Sequence, residues 1–371
     1  MRYRLSGFAF VAVFLAGLAA WSNAAKANPA LLFELDSGKV LSHEDAFKRW
    51  YPASLTKLMT VYVAFRAVEA GELRLDSPIH VSQNSASEPP SKMGYKPGSV
   101  MTLDNALKML MVKSANDIAT AVAETVGGSE QAFVARMNAE AKRLGMTGTH
   151  YVNAHGLFST GQYSTARDLA LLVRAIRTEY PQYAGYFSIE AIDTGNHVIP
   201  SYNILLGRFT GADGMKTGFV CASGFNLIGS ATRSGRTLVA VVLGTRTQLE
   251  RAEKAAELLS QGFKMPSLAA PTIYSLKPYG TDLDVATDMR PIACSQQAQS
   301  ERWEERDEEG KLVIRSDLLH EMDREPRAVK VGLGGVTGPE TTQPRYADVP
   351  IPTPRPDYPP RSGTAAVSEG G

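Results

Sequence analysis

Ser54 and Lys57 stand three residues apart in Ser54-Leu55-Thr56-Lys57, after Pro52 and at the head of a run whose apolar residues recur at helical spacing. On a helix that separation puts both side chains on one face, about one turn apart. A serine hydroxyl is too weak an acid to attack an amide unaided, and a lysine acts as its base only where burial or a neighbouring cation lowers its pKa. The helix start adds partial positive charge and a free backbone N–H near Ser54, suited to a developing oxyanion. Taken alone, the same four residues also describe a capped surface helix with an exposed lysine.

Two further motifs give the pair a context. Ser114-Ala115-Asn116 falls between two helical patterns, where a loop can turn both polar side chains toward Ser54. There Ser114 would relay a proton to a departing amine and Asn116 would hydrogen-bond a substrate carbonyl, although both residue types also make good helix N-caps. Ser82-Gln83-Asn84 and Ser201-Tyr202-Asn203 repeat the tripeptide without that setting. Lys216-Thr217-Gly218 occurs once, where a strand is expected to begin. Lys216 would be the cation beside Lys57, and with the Thr217 hydroxyl it would bind a terminal carboxylate. Gly218 would let a ligand backbone approach, and the Phe219 N–H would complete an oxyanion hole with that of Ser54.

The elements that must hold these residues follow from periodicity. Ala30 to Leu35 and the segment from Lys39 flank Asp36-Ser37-Gly38 as a hairpin. Leu55, Leu58, Met59, Tyr62, Val63 and Phe65 mark a helix that ends near Gly71. Helical patterns follow over Asp104 to Val112, Ile118 to Val126, Glu130 to Leu144 and Ala166 to Glu179. Two β-rich stretches, Thr217 to Ala231 and Leu238 to Leu243, precede an amphipathic helix from Thr247 to Phe263. Sheet segments at both ends enclosing a helical middle predict an α+β fold, an antiparallel sheet flanked by helices with a helical subdomain.

The first residues read as an export signal, with Arg2 and Arg4, an apolar run from Phe8 to Trp21 and the small-residue pattern Ala25-Lys26-Ala27; cleavage is expected after Ala27. The competing reading is an uncleaved anchor. The expected division is a signal over 1–27, a catalytic domain over 28–265 and an extended, partly disordered, proline-rich tail over 266–371, which holds most of the 21 prolines. Within the tail, Leu312 to Ile314 and Leu318 to Met322 are candidates for short elements. With 39 Lys+Arg against 38 Asp+Glu there is no basic stripe, so no nucleic acid partner is expected. The six histidines offer no pair at zinc-site spacing, and no metal or cofactor is expected. Cys221 and Cys294, the only cysteines, are candidates for one disulfide in an oxidising compartment or for two free thiols.

In their order, the three motifs resemble those of the low-molecular-mass penicillin-binding proteins, specifically the serine-type D-alanyl-D-alanine carboxypeptidases. Asp213 to Phe219 with Ala222 to Leu227, Leu144-Gly145-Met146 leading to Asn153 to Leu157, and Thr165 to Asp168 are similar to that family's pattern as well. The resemblance covers about Asn28 to Met265. It implies a transpeptidase-like fold, Ser54 as acylated nucleophile, Lys57 as base, Lys216 as the cation on the carboxylate side, peptidoglycan stem peptides as substrate and β-lactams as acylating ligands. It also implies a periplasmic enzyme of the bacterial envelope, with peripheral association to membrane or wall left open. Three departures stand out. Phe219 replaces the His or Tyr often found in relatives, Tyr202 stands where a basic residue is frequent, and proline and charge occupy the place of an anchoring C-terminal helix.

Three other functions use the same residues or fold. One is a DD-endopeptidase acting on crosslinks. Another is a class A-like β-lactamase, which needs a deacylating glutamate between the second and third motifs, where Glu179 and Glu190 are the nearby acids. The last is a non-catalytic wall-binding scaffold. His155, in a Gly-containing loop, is expected to be a histidine satisfied by backbone groups.

Overall fold

Alternation along three strands builds a sheet with two buried faces. In the computed structural model, which describes residues 28–341, β1 (Ala30–Glu34) and β2 (Val40–Glu44) form the expected hairpin. They join β7 (Ala212–Val220), β8 (Gly224–Arg233) and β9 (Arg236–Thr245) in one antiparallel sheet of order β2-β1-β9-β8-β7. Leu32, Leu238, Ala240 and Val242 face one side, where they meet Leu249, Ala252, Ala255, Ala256 and Leu259 of α7 (Gln248–Lys264). Leu31, Phe33, Val239, Val241 and Leu243 face the other side and join the helical core. Period-2 patterning thus places two cores on one sheet.

The helical side is centred on α1 (Thr56–Glu69). Ten consecutive residues of it, Thr56 to Phe65, are buried. A helix apolar around its whole circumference belongs in the interior. Around it lie α3 (Leu103–Val112), α4 (Asn116–Gly127), α5 (Glu130–Arg143) and α6 (Ala166–Glu179). Ser129 and Thr165 cap α5 and α6 through their side chains. The short strands β3 (Pro78–His80) and β4 (Val100–Thr102) pair with each other, α2 (Gln83–Ser87) lies between them in sequence, and β5 (Ala191–Asp193) pairs with β6 (Val198–Pro200). These observations bear out the α+β reading.

Three expectations change. The stretch Thr217 to Ala231 is two strands, reversed at Cys221 to Ser223, and β7 begins at Ala212, so Lys216-Thr217-Gly218 lies in mid-strand on the free edge of the sheet. Leu312 to Ile314 and Leu318 to Met322 form no helix or strand beyond an isolated bridge from Arg306 to Leu312. The regular elements of residues 266–341 are instead α8 (Arg290–Ala293), α9 (Gln296–Glu304) and β10 (Ala328–Lys330), the last parallel to β5. α9 is mostly polar, with Ala298 its one buried residue, so it carries no apolar stripe to read. The expected export signal and residues 342–371 of the proline-rich tail lie outside the described residues. No helix among the described residues is long and apolar enough to cross a membrane.

Residues 266–341 run over the outside of the sheet and helices. Thr272 bridges to Lys39, the Met289 N–H donates to Ala222 O, Arg324 and Arg327 bind Glu190, and Gly334 N–H donates to Val100 O. Cys221 and Cys294 form a disulfide that ties this belt to the β7–β8 turn. Cys221 is exposed on that turn. The bond closes a loop of 73 residues. Cys294→Ser is expected to lower unfolding free energy by up to about 4 kcal/mol and to speed proteolysis within 266–341. Denaturant melts of the oxidised protein and timed trypsin digestion check both.

Candidate active site

Ser54 lies in a 3₁₀ turn, Ala53–Leu55, that leads directly into α1. Two glycines let backbone press on this turn from both sides. A Cβ on Gly218 would sit 2.9 Å from Ser54 N, 3.0 Å from Pro52 O and 3.1 Å from Leu55 N; one on Gly156 would sit 2.0 Å from Ala53 O. Gly218 therefore makes room for the protein's own turn, a second constraint beside its place in the lining of the cleft. Ala53 and Ser114 hold φ of 48° and 61°, left-handed values that cost an L-residue energy and cluster at functional sites.

Because α1 is buried all round, its first turn carries Lys57 entirely out of water. The Nζ donates to Ser54 Oγ at 3.2 Å, Asn116 Oδ1 at 2.8 Å and His155 O at 2.6 Å. Burial pushes the amine down to about 7, against the opposing pull of Glu88 and Asp117. The sequence reading gave a neighbouring cation as an alternative cause. Here burial acts on Lys57, and the repulsion between the two lysines falls on Lys216.

Ser114 sits between α3 and α4. Ala115, not Ser114 or Asn116, is the N-cap of α4 and makes no side-chain cap bond, so the simple capping role does not hold. Asn116 accepts from Lys57 and donates from Nδ2 to Pro89 O at 2.9 Å. The other two tripeptides are occupied structurally: Ser82 caps α2 in a capping box, and Asn203 Nδ2 binds Gly214 O. Lys216 is buried, with Nζ 3.0 Å from Ser114 Oγ and 2.9 Å from Thr217 O. Burial, then Lys57, then Arg251 hold its pKa well below the ordinary lysine range. Ser54, Ser114, Asn116, Thr217 and Phe219 line one cleft of about 310 Å³.

Arg251 was not foreseen. Its guanidinium lines the same cleft, buried, with Nη2 donating to Tyr202 O at 3.1 Å and the group lying over the Phe225 ring. Burial lowers its pKa to about 9. The signal was present in the sequence: Arg251 falls on the stripe of α7 that buries Ala255 and Leu259, and a charged residue there needs a reason. Among the described residues, neither Lys216 nor Arg251 makes an ion pair with a carboxylate.

His155 is buried, and Leu157 N–H donates to its Nδ1 at 3.1 Å, as expected for a backbone-satisfied histidine; its carbonyl, however, holds Lys57. Burial, then Lys57, lowers the imidazole to about 3, so the ring is neutral. Glu179 accepts from Tyr62 Oη and Glu190 from Arg324 and Arg327, and neither lines the cleft. The described residues contain no cluster of three His, Cys, Asp or Glu able to hold a metal ion.

The sequence profile of the D-alanyl-D-alanine carboxypeptidase family matches residues 17–247. The chain is 36% identical over 258 residues to D-alanyl-D-alanine carboxypeptidase DacC of Escherichia coli, covering 68% of this chain and 64% of that relative. It thus spans under two thirds of the length of the first curated relatives it matches. The fold is similar to the crystal structure of the D-alanyl-D-alanine carboxypeptidase DacD from Francisella tularensis, with TM-score 0.62, 32% identity, and coverage of 64% of this chain and 70% of that one. Penicillin-binding protein D2 from Listeria monocytogenes in its cefotaxime-bound form matches with TM-score 0.58 and 31% identity, over 64% of this chain and 97% of that one. Together with the profile match over more than half of its length, these likenesses show that the chain belongs to the D-alanyl-D-alanine carboxypeptidase family.

Proposed function

We propose that this chain is a serine D-alanyl-D-alanine carboxypeptidase that removes the terminal D-Ala from peptidoglycan stem peptides and is acylated by β-lactams. The observation that carries this reading is the cleft's polarity. One end holds a serine against a lysine that is half free base near neutrality, and the other holds a buried lysine and a buried arginine without carboxylate partners. Such a site suits a peptide whose scissile carbonyl lies one residue from a free carboxylate.

Ser54 Oγ attacks the penultimate D-Ala carbonyl as Lys57 Nζ takes its proton. The N–H groups of Ser54 and Phe219 receive the oxyanion. The C–N bond then breaks as Lys57 passes the proton it took, through Ser114, to the leaving amine; Lys57 returns to its free base and Lys216 holds the Ser114 hydroxyl. Lys216, the Thr217 hydroxyl and Arg251 bind the terminal carboxylate, whose charge favours the cationic form of Lys216. Asn116 uses its remaining amide hydrogen on a substrate carbonyl while it holds Lys57. Water then attacks the acyl carbonyl while Lys57 takes its proton, and the C–O bond to Ser54 breaks as Lys57 returns that proton to Oγ, releasing the shortened peptide. Residues 28–265 form the catalytic unit in this reading, the signal over 1–27 directs export to the periplasm, and a Cys221–Cys294 disulfide accords with an oxidising compartment.

Incubation with benzylpenicillin is expected to leave a penicilloyl adduct on Ser54 by mass spectrometry, with D-Ala released from a D-Ala-D-Ala peptide in parallel. Ser54→Ala removes both, and Lys57→Ala lowers acylation on the order of 10²- to 10⁴-fold. Adduct without D-Ala release points to crosslink cleavage, rapid penicillin turnover points to a β-lactamase, and no adduct contradicts the catalytic reading. The acylation rate should also rise with pH through a midpoint near 7, because only the free amine of Lys57 accepts the proton. A rate-against-pH profile checks it.

A further inference from the structure

Behind Lys57 lies a carboxylate to which no role has been given. Glu88 follows α2, and its side chain is 14% exposed. Thr120 Oγ1 donates to Glu88 Oε1 at 2.9 Å. His155 Nε2 lies 3.5 Å from Glu88 Oε1 and 3.8 Å from Glu130 Oε1. Since Leu157 N–H occupies Nδ1, the neutral ring carries its hydrogen on Nε2, aimed at these carboxylates.

Two routes join this carboxylate to the base. His155 presents its ring N–H to Glu88 and its carbonyl to Lys57. Asn116 and Thr120, four residues apart on one face of α4, hold Lys57 Nζ and Glu88 Oε1 respectively, and the Asn116 amide also binds the carbonyl of Pro89, the residue after Glu88. We propose that Glu88 is a positioning residue for Lys57: its carboxylate, fixed by Thr120 and His155, is the counter-charge that sets how readily the Lys57 amine gives up its proton before attack. This rests on Lys57 serving as the base for Ser54.

The surrounding charges single out Glu88. Lys57 faces Lys216 from β7, Asp117 from α4, the neutral His155 and Glu88. Glu88 itself faces Lys57, Asp117 and Glu124 from α4, and Glu130 from α5. Asp117 accepts from the N–H groups of Met93, Gly94 and Ile118, Glu124 binds Asn84, and Glu130 binds Ala154 N–H. Glu88 has no such backbone donors in its hydrogen bonds, and it is the largest influence opposing the burial of Lys57.

Removing a negative charge beside Lys57 disfavours its ammonium form, so the free base persists to lower pH. The test is the second-order rate constant for acylation by benzylpenicillin, followed against pH. Glu88→Gln, which keeps the shape and both acceptor contacts, is expected to move the acid limb down by on the order of one pH unit while the alkaline plateau stays within a few-fold. Thr120→Val withdraws the hydroxyl that favours the ionised carboxylate. It should move the limb the same way by less, and it carries the test if Glu88→Gln does not fold. A limb that stays in place, or a rate lowered equally at every pH, overturns the proposal. Wild-type protein that is not acylated at all overturns instead the reading of Ser54 and Lys57 on which it rests.

Discussion

The structure depends on holding one lysine amine out of water. Lys57 is carried inside because α1 is apolar around its whole circumference, and an ammonium there would be costly. The protein meets that cost with three oxygen acceptors, from Ser54, Asn116 and His155, and with a lowered pKa. Each acceptor comes from a different part of the chain: the 3₁₀ turn, the head of α4 and the loop before α6. Their convergence fixes the cleft. The left-handed backbone at Ala53 and Ser114 and the close approaches at Gly156 and Gly218 are the local costs of bringing these segments together.

At the other end, the edge strand β7 supplies Lys216 and α7 supplies Arg251, whose Nη1 donates to Gly218 O of the same strand. A buried lysine and a buried arginine without carboxylate partners favour a ligand anion, whose charge would hold both in their cationic forms. The hairpin that carries Lys216 is held at its tip by the disulfide to α8's C-terminal flank and by Trp50 Nε1 donating to Ser223 O at 2.8 Å. The belt of residues 266–341 therefore bears on the strand that lines the cleft. Phe219, stacked on Phe225, and Tyr202 give the cleft mouth an aromatic lip in place of a further base.

Much of this was legible in the sequence, and the failures have physical causes. Strong periodicity marked α1 and α3 to α7 to within two residues, and the order of the three motifs brought Ser54, Lys57, Ser114, Asn116, Lys216 and Thr217 to one place. The start of β7 was missed because Ala212 to Gly214 carries no alternation. The short elements of the belt depend on docking against Glu190, β5 and the β7–β8 turn, which local patterning does not record. Arg251 and Glu88 were overlooked for the same reason: a charged residue on a helix stripe or after a short helix reads as solvated until tertiary packing shows it buried. The contact of Gly218 with the turn that carries Ser54 was not legible because the residue type shows that something comes close, not what.

The central claim is that burial makes Lys57 a base at neutral pH. Protein labelled with carbon-13 at the lysine ε-carbon, with the Lys57 resonance assigned by its loss in Lys57→Arg, would report that titration directly. The account predicts a midpoint near 7. A Lys57 resonance that titrates at about 10, like a solvated lysine, would contradict it.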